Sequence, residues 1–441
     1  MLLVERGNEA ESDAGHGKLK HNPLIGKRVL IPPMAYGSAR AFASGFRALG
    51  VEADITPPSD ERTRELGAKY TSGDECYPAK VTVGDFLKAL EAPGAEPART
   101  VLFMPTADGP CRFGQYAPYL RAILDGQGLQ STIVLSPSSK NGYDGLGDLA
   151  RPFLRTGWRM LVAADILQKL LLLVRPNEYE QGETDRVYEE CLDDVCSTVE
   201  NCSIEPAVQL RAMHDAMLRS RDRFRAIRGH RERTRPFIGV VGEIFCRLNT
   251  FSNDDLVRRI EEYGAECWLS DITEWVWYTN SEQFRKLRLK GRLLSMEALG
   301  AWIRNRVQHR DEHVLLAPFH DDLKGSEEAP IEEILEYARP YLPREGALGE
   351  MVLNIGKTVY LAKKGVDGVV DISPFTCMNG IVSEAIYPKL SRDLGGLPIR
   401  TFYFDGTQAD LDRDLGVYLE LAKSYQRRKP YARVAPKYPM S

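Results

Sequence analysis

The chain of 441 residues lacks a long uninterrupted apolar segment. Its most apolar stretch, residues 158–174, contains Arg159, Asp165 and Lys169 and is shorter than the roughly 20 residues that a membrane-spanning helix requires. We therefore expect a buried helix there and predict no membrane partner. After the apolar residues 1–4 (MLLV) the chain turns acidic and polar, and neither a longer apolar core nor a small-residue cleavage site follows, so we predict no signal peptide and a cytoplasmic location.

The chain also lacks an excess of charge of either sign. It contains 58 Lys and Arg against 62 Asp and Glu, a formal net charge of −4, and no extended basic block. Proteins that bind nucleic acid through its phosphates are usually basic, so we predict no nucleic-acid partner. Hydrophobic residues make up 43%, which is ordinary for a globular protein, and the length fits two or three domains.

Nucleotide-binding motifs are missing as well. No P-loop occurs, and the glycine-rich residues 142–147 (GYDGLG) lack the glycine order of a dinucleotide-binding loop. We therefore predict that this chain binds no nucleotide.

Short apolar runs alternate with helical patterns in two parts of the chain, which is typical of parallel βαβ units. We predict strands at 28–34, 51–56, 100–105, 131–137, 237–242, 266–270, 368–373 and 399–404. The fold class is thus α/β, with two Rossmann- or flavodoxin-like lobes that each contain a parallel sheet. The predicted divisions are a flexible extension at 1–25, lobe 1 at 26–147, a helical segment at 148–234, lobe 2 at 235–425 with a helical insertion at about 280–365, and a basic tail at 426–441.

Three of the eight cysteines share a local setting. Cys76, Cys111 and Cys377 each lie in a Gly- or Pro-containing loop just before a predicted helix. Loops at the carboxyl ends of parallel strands form the ligand crevice of α/β proteins, and a helix N-terminus favours a thiolate. The residues alone leave two interpretations open: ligands of a metal or iron–sulfur cluster between the lobes, or three unrelated buried thiols.

The other five cysteines have different surroundings. In an acidic helical stretch, Cys191 and Cys196 are about 140° apart on a helix, and Cys191 and Cys202 are separated by about 16 Å. Neither pair can hold one metal ion, so we expect structural thiols. Cys267 lies within a predicted strand and is expected in the core. Cys246 follows a predicted strand and is the one credible extra ligand.

Further polar residues deserve separate consideration. His309 and His313, with Glu312 between them, match the H-x-x-E-H pattern of a zinc peptidase family. The apolar run Val314–Leu316 follows at once, so we expect the helix to end within the motif and interpret it as a charged helix end. Glu243, at a strand end, and Glu384, in the helix after Cys377, are candidate site residues, although an acid in such a place is more often a solvated or capping acid.

Five segments together resemble the 2-hydroxyacyl-CoA dehydratase superfamily, most closely its dehydratase-like proteins related to the CoA-substrate-specific enzyme activases. They are GDECYPAK (73–80), GPCRFGQY (109–116), GEIFCRLNTFSNDDLVRRIEEYGAE (242–266), PFTCMNG (374–380) and FYFDGT (402–407). The likeness covers about residues 26–425, and GPCRFGQY is its most specific motif.

The resemblance implies a 4Fe–4S cluster with Cys76, Cys111 and Cys377 as its three ligands and with an open fourth iron for water or a thioester carbonyl. It also implies an ATP-dependent, ASKHA-type activase as the partner that delivers a low-potential electron. A second dehydratase-like subunit or a homodimer is compatible with it.

We therefore expect an enzyme of anaerobic metabolism that dehydrates or reduces an acyl-CoA, with Arg112, Glu243 and Glu384 as candidate polar groups beside the open iron. The alternative is an electron-relay, cluster-carrier or scaffold subunit.

Overall fold

A computed structural model describes residues 22–434, apart from 107, 108, 110, 139–142, 144, 231–233, 345, 346, 408 and 409. The chain folds into two parallel four-stranded sheets flanked by helices. The α/β fold class and the two lobes predicted from the sequence are confirmed. Part of the glycine-rich stretch 142–147 lies outside the described residues.

Lobe 1 contains the first sheet, in which the strands lie in the order second, first, third, fourth by chain position and every neighbour is parallel. The two central strands are almost entirely buried, as in a sheet covered on both faces, whereas the two edge strands are partly exposed. The strands are β1 (Arg28–Ile31), β2 (Glu52–Ile55), β3 (Thr100–Phe103) and β4 (Ile133–Leu135). The helices are α1 (Tyr36–Arg47), α2 (Glu61–Tyr70), α3 (Tyr77–Glu91) and α4 (Tyr116–Gly126).

Three helices follow in the chain, and the described residues between the two sheets form no strand. They are α5 (Ala150–Val174), α6 (Glu183–Asn201) and α7 (Pro206–Ala226). The apolar stretch 158–174 lies within α5 and is mostly buried, and the Arg159 guanidinium reaches Asp311 at 2.7 Å. No helix in the described part of the chain is both long enough and apolar enough to cross a bilayer.

Lobe 2 repeats the strand order of lobe 1, again with parallel neighbours. The strands are β5 (Phe237–Gly242), β6 (Glu266–Leu269), β7 (Gly368–Pro374) and β8 (Ile399–Phe404). The helices are α8 (Ile244–Leu248), α9 (Leu256–Glu262), α10 (Ile272–Leu289), α11 (Met296–Leu316), α12 (Ile331–Ala338), α13 (Glu350–Lys363), α14 (Met378–Asp393) and α15 (Leu411–Gln426).

The structure corrects one predicted helix end. Helix α11 continues through the H-x-x-E-H motif to Leu316. The run Val314–Leu316 is helical because Leu315 is completely buried in the core that α5, α6 and α7 form, with its two neighbours packed against the same core. An apolar run of this length cannot be assigned to strand or helix by its pattern alone.

Described residues near both ends of the chain pack against the lobes. Leu24 is buried in the core of lobe 1, so lobe 1 begins before residue 26. Residues 1–21 of the predicted extension lie outside the described part. The tail packs against lobe 2, where Lys429 pairs with Asp367 at 2.6 Å and the Arg433 guanidinium lies 3.8 Å from the Phe237 ring centre.

The lobes share a core rather than meeting across solvent. Tyr77 and Val81 of α3 are buried in the same cluster as Ile238 of β5 and Ile372 of β7. The Asn249 side-chain amide also donates to the carbonyl of Pro33 at 2.9 Å. The first turn of α3, which follows Cys76, is therefore positioned by lobe 2 as well as by lobe 1.

Candidate functional site

The strand order creates a crevice at the carboxyl ends of both sheets. In each lobe the chain runs from a central strand to one side and then crosses to the other side, so that β1 neighbours β3 and β5 neighbours β7. Loops diverge at such points and leave room for a ligand. Cys111 follows β3, Cys377 follows β7 and Glu243 follows β5.

Each of the three predicted ligands is the residue immediately before a helix. Cys76 precedes α3, Cys377 precedes α14, and Cys111 precedes a 3₁₀ turn at Arg112–Gln115 that continues into α4. Burial raises the pKa of the Cys377 thiol, and hydrogen bonds from the backbone amides of Asn379 and Gly380 partly oppose that rise. Helix N-termini thus direct N–H dipoles at these sulfurs, an arrangement that suits a thiolate or an anionic cluster.

Arg112 joins the three cysteine loops. It follows Cys111, and one of its terminal nitrogens donates to the carbonyl of Asp74 at 2.7 Å. The other donates to the carbonyl of Thr376 at 2.8 Å and contacts its hydroxyl at 3.2 Å. Asp74 lies two residues before Cys76, and Thr376 directly precedes Cys377. One guanidinium therefore connects lobe 1 to lobe 2 at the candidate site.

Thr376 has an unusual backbone that serves this geometry. Its φ of 67° lies in the left-handed region, which a β-branched residue seldom adopts. The two hydrogen bonds from Arg112 accompany this conformation. Strained positions of this kind concentrate at functional sites.

Two carboxyl groups lie among the thiols. Glu243 precedes α8 and accepts hydrogen bonds from the amides of Phe245 and Cys246 at 3.1 and 2.7 Å. Its charge raises the pKa of all three thiols, Cys76, Cys111 and Cys377. The charge of Glu243 therefore acts on the thiols of all three loops, which the Arg112 hydrogen bonds hold together.

Glu350 is the second carboxyl group, and the sequence analysis did not identify it. It begins α13, it is buried, and it accepts a hydrogen bond from the Asn379 side-chain amide at 2.7 Å. Burial raises the pKa of Glu243 and of Glu350 above the usual range of a carboxyl group, and the charge of Glu350 raises the pKa of Glu243 further. No local motif marks Glu350, because α13 lies more than 100 residues from Glu243 and meets it only in the folded chain.

The thiols are protonated at neutral pH in the absence of a metal. Burial raises the pKa of Cys76 and Cys377. Cys111 is exposed at the mouth of the crevice, yet the protein around its thiol raises its pKa to about 11. The Tyr116 hydroxyl lies 2.6 Å from the Cys76 sulfur and lowers the pKa of that thiol. A metal at this site would replace three protons.

The described residues contain no group of three or more His, Cys, Asp or Glu side chains gathered as ligands of a single ion. A cluster of four irons does not require such a group, because each cysteine binds a different iron and the sulfurs stay roughly 6–7 Å apart. Three loops that each lead into a helix N-terminus, and that one arginine joins, fit a cluster of this kind. The ligand role of the three cysteines remains a prediction.

The other candidate residues lie in different settings. The Cys246 thiol is completely buried and donates to the carbonyl of Ser252 at 3.9 Å, and burial raises its pKa well above the usual range. Glu384 is exposed on α14 and accepts a hydrogen bond from the Tyr403 hydroxyl at 2.8 Å. Glu384 lies seven residues after Cys377, on the helix that Cys377 precedes.

The cysteines predicted to be structural lie outside the crevice. Cys191 and Cys196 are buried among the α5, α6 and α7 side chains, and Cys267 is buried in lobe 2. Cys202 ends α6 and is half-buried. These positions support the structural interpretation.

The H-x-x-E-H residues serve packing in this structure. The His309 ring stacks on Trp277 with centroids 3.9 Å apart, and the Trp277 indole N–H donates to Glu312 at 3.1 Å. His313 is exposed.

Comparison with known proteins adds no assignment. No protein-family model matches the chain. A search of curated proteins finds no match either.

Proposed function

We propose that the chain is an iron–sulfur protein of the 2-hydroxyacyl-CoA dehydratase type. Cys76, Cys111 and Cys377 hold a 4Fe–4S cluster, an ATP-dependent activase reduces it, and the activated substrate is an acyl-CoA thioester. The cluster, when bound, supplies one low-potential electron and a Lewis-acidic iron for the thioester carbonyl.

The convergence of the three cysteine loops carries this proposal. The loops come from distant parts of the chain and from both lobes, yet the guanidinium of Arg112 bonds to the other two and Glu243 acts on each thiol. Three unrelated buried thiols have no reason to share one arginine and one carboxylate. The convergence therefore favours a common ligand over separate packing roles.

Polar groups around the thiols favour a catalytic component over a relay. A relay needs only a closed, apolar setting for its cluster, whereas an enzyme needs groups that orient a substrate and move protons. Glu243, Glu350 and the Tyr116 hydroxyl are suited to these tasks. The side chains of Phe375, Met378 and Ile381 are exposed around Cys377 and offer an apolar rim for an acyl chain or a partner protein.

The ligand assignment is tested by anaerobic purification, iron and sulfide analysis, and EPR spectroscopy of single variants. We expect the wild-type protein to contain a 4Fe–4S cluster and Cys76→Ala, Cys111→Ala and Cys377→Ala each to lose most of its iron. Cys202→Ala and Cys196→Ala are matched controls that should keep it. Wild-type protein that binds no iron after reconstitution, or ligand variants with unchanged iron content, would overturn the proposal.

The reaction is tested separately with the reconstituted protein, an activase, ATP and a panel of acyl-CoA thioesters. We expect conversion that requires ATP and that Glu350→Gln lowers by tenfold or more at unchanged iron content. A protein that keeps its cluster and accepts electrons but converts no thioester would support the relay alternative instead.

A further inference from the structure

The tip of the α10–α11 hairpin exposes an unusual number of large apolar side chains. We define the hairpin tip as residues 286–306, which comprise the end of α10, the connecting turn and the first half of α11. Leu294 is fully exposed and Met296 is 80% exposed. The other members of the exposed set are Leu289, Leu293, Leu299, Trp302 and Ile303. Isolated exposed leucines are common, but a contiguous set of this size marks an interaction surface.

The base of the same hairpin is firmly fixed. Asp311 of α11 is completely buried and accepts a hydrogen bond from the Arg159 guanidinium at 2.7 Å. The Trp158 indole N–H donates to the carbonyl of Gln308 at 3.0 Å. Within the tip, by contrast, the buried residues are the small Ala298 and Ala301 together with Leu287. The hairpin therefore extends from the helical core and presents its apolar tip to the exterior.

The hairpin tip is also strongly basic. The tip contains one acidic residue, Glu297, and six Lys and Arg residues, which gives an excess of five positive charges. The basic residues are at positions 286, 288, 290, 292, 304 and 306. Glu297 pairs with Arg292 at 3.3 Å. The prediction of no membrane partner rested on the lack of a membrane-spanning segment, which a peripheral anchor does not need.

We propose that the hairpin tip docks on an anionic lipid bilayer as a peripheral anchor. The leucines and Met296 would enter the boundary between headgroups and acyl chains, and the surrounding Lys and Arg would contact lipid phosphates. Trp302 suits this depth, since tryptophan concentrates at bilayer interfaces, and the Arg306 guanidinium lies 5.8 Å from the Trp302 ring centre. This proposal does not depend on the iron–sulfur cluster.

Charge distinguishes a bilayer from a second copy of the chain. A two-fold dimer would place this surface against itself, and the five excess positive charges of each copy would then repel. An anionic bilayer instead combines an apolar interior with negative headgroups, and it therefore complements both features of the tip.

The proposal is tested by co-sedimentation of the purified full chain with vesicles. We expect binding to vesicles of phosphatidylcholine with 30% phosphatidylglycerol at low salt, weaker binding at high salt, and little binding to phosphatidylcholine alone. Leu294→Asp should reduce binding at least tenfold. Lys290→Glu should reduce it by well over fivefold, because one basic residue near an anionic surface contributes about fivefold. Leu421→Asp, at a 56% exposed position of α15, is the matched control and should bind as wild type.

Thermal unfolding verifies that each variant is folded. We expect Leu294→Asp to fold normally, because the Leu294 side chain is fully exposed to solvent. Absence of binding to anionic vesicles at low salt would overturn the proposal, and so would equal binding by Leu294→Asp and wild type. A dimer in solution that Leu294→Asp dissociates, without vesicle binding by the wild type, would assign the surface to a second copy or to an acidic protein partner and would likewise overturn it.

Discussion

Single residues decide how the loops of the candidate site are held. Arg112 donates to backbone carbonyls of two other loops, a role that a shorter or non-planar cation would not reproduce. Behind the site, Asp85 of α3 is completely buried and accepts hydrogen bonds from the Ser59 and Thr63 hydroxyls, both at 2.9 Å. Burial raises the pKa of Asp85 to about 7 because water no longer solvates its charge.

Asp85 should make stability depend on pH. The folded chain binds the Asp85 proton more tightly than the unfolded chain, where an Asp has a pKa near 3.9. The stabilisation from this proton is complete below pH 4 and is lost as pH rises through 7. Asp85→Asn should remove this dependence and raise the free energy of unfolding at pH 8 by on the order of 2–4 kcal/mol. Urea unfolding at pH 5 and pH 8 measures it.

The exposed Asp54, which pairs with Arg28 at 2.6 Å, provides the control. Asp54→Asn should change stability by less than about 1 kcal/mol at both pH values. An unchanged difference between pH 5 and pH 8 in Asp85→Asn would show that Asp85 ionises freely in the folded protein.

Helix α3 is the element that connects the site to both lobes, and glycine permits its close approach to α2. A methyl group added to Gly84 would lie 1.9 Å from the carbonyl oxygen of Thr63, and one added to Gly67 would lie 2.2 Å from that of Lys80. Both contacts are with backbone, which cannot rotate away. The α2–α3 pair therefore fixes the position of Cys76 through helix packing.

Gly84→Ala should force α2 and α3 apart and destabilise the protein by about 3 kcal/mol, the upper range for overpacking. Gly300→Ala in α11 is the control, because nothing lies within 4 Å of the added methyl group. An alanine there should stabilise the helix by up to about 1 kcal/mol. Chemical denaturation of both variants compares them, and equal stabilities would contradict the packing argument.

At the scale of the whole molecule, a buried ionic network joins the helical segment to lobe 2. Lys169 of α5 pairs with Asp271 and Glu328 at 2.8 and 2.7 Å. Lys357 of α13 pairs with Glu274 at 2.7 Å and also with Glu328. The opposite charges around each lysine raise its pKa, so both remain protonated. The network determines how the helices dock on the second sheet.

Lys357→Met should leave Glu274 and Glu328 with too little positive charge in a buried position and lower the free energy of unfolding by about 3–5 kcal/mol. Lys364→Met, directly after the end of the same helix, removes a partly exposed pair with Glu327 and should cost less than about 1 kcal/mol. Thermal and urea unfolding test the pair. A loss below 1 kcal/mol for Lys357→Met would mean that water or protonation relieves the buried acids.

The sequence by itself determined the α/β class, both lobes and the strandless helical segment, because alternating short apolar runs and helical patterns record burial along the chain. It also identified the three cysteine loops, because Gly and Pro residues near each cysteine indicate a turn. It did not predict structure or site residues that depend on contacts with distant parts of the chain. The apolar run Val314–Leu316 has the pattern of a strand, and only its packing in the helical core makes it part of α11. Glu350 belongs to no sequence motif, and only the position of α13 in the fold brings it near Glu243.

Only the tertiary structure decided that both lobes share one strand order, that α3 packs into both lobes, and that Arg112 joins the three loops. The hairpin tip illustrates the same limit, because its apolar residues resemble core residues in the sequence and prove exposed in the fold. Local propensity sets which segments become helices or strands, whereas site geometry follows from contacts between residues hundreds of positions apart. Those contacts depend on the packing of the whole chain.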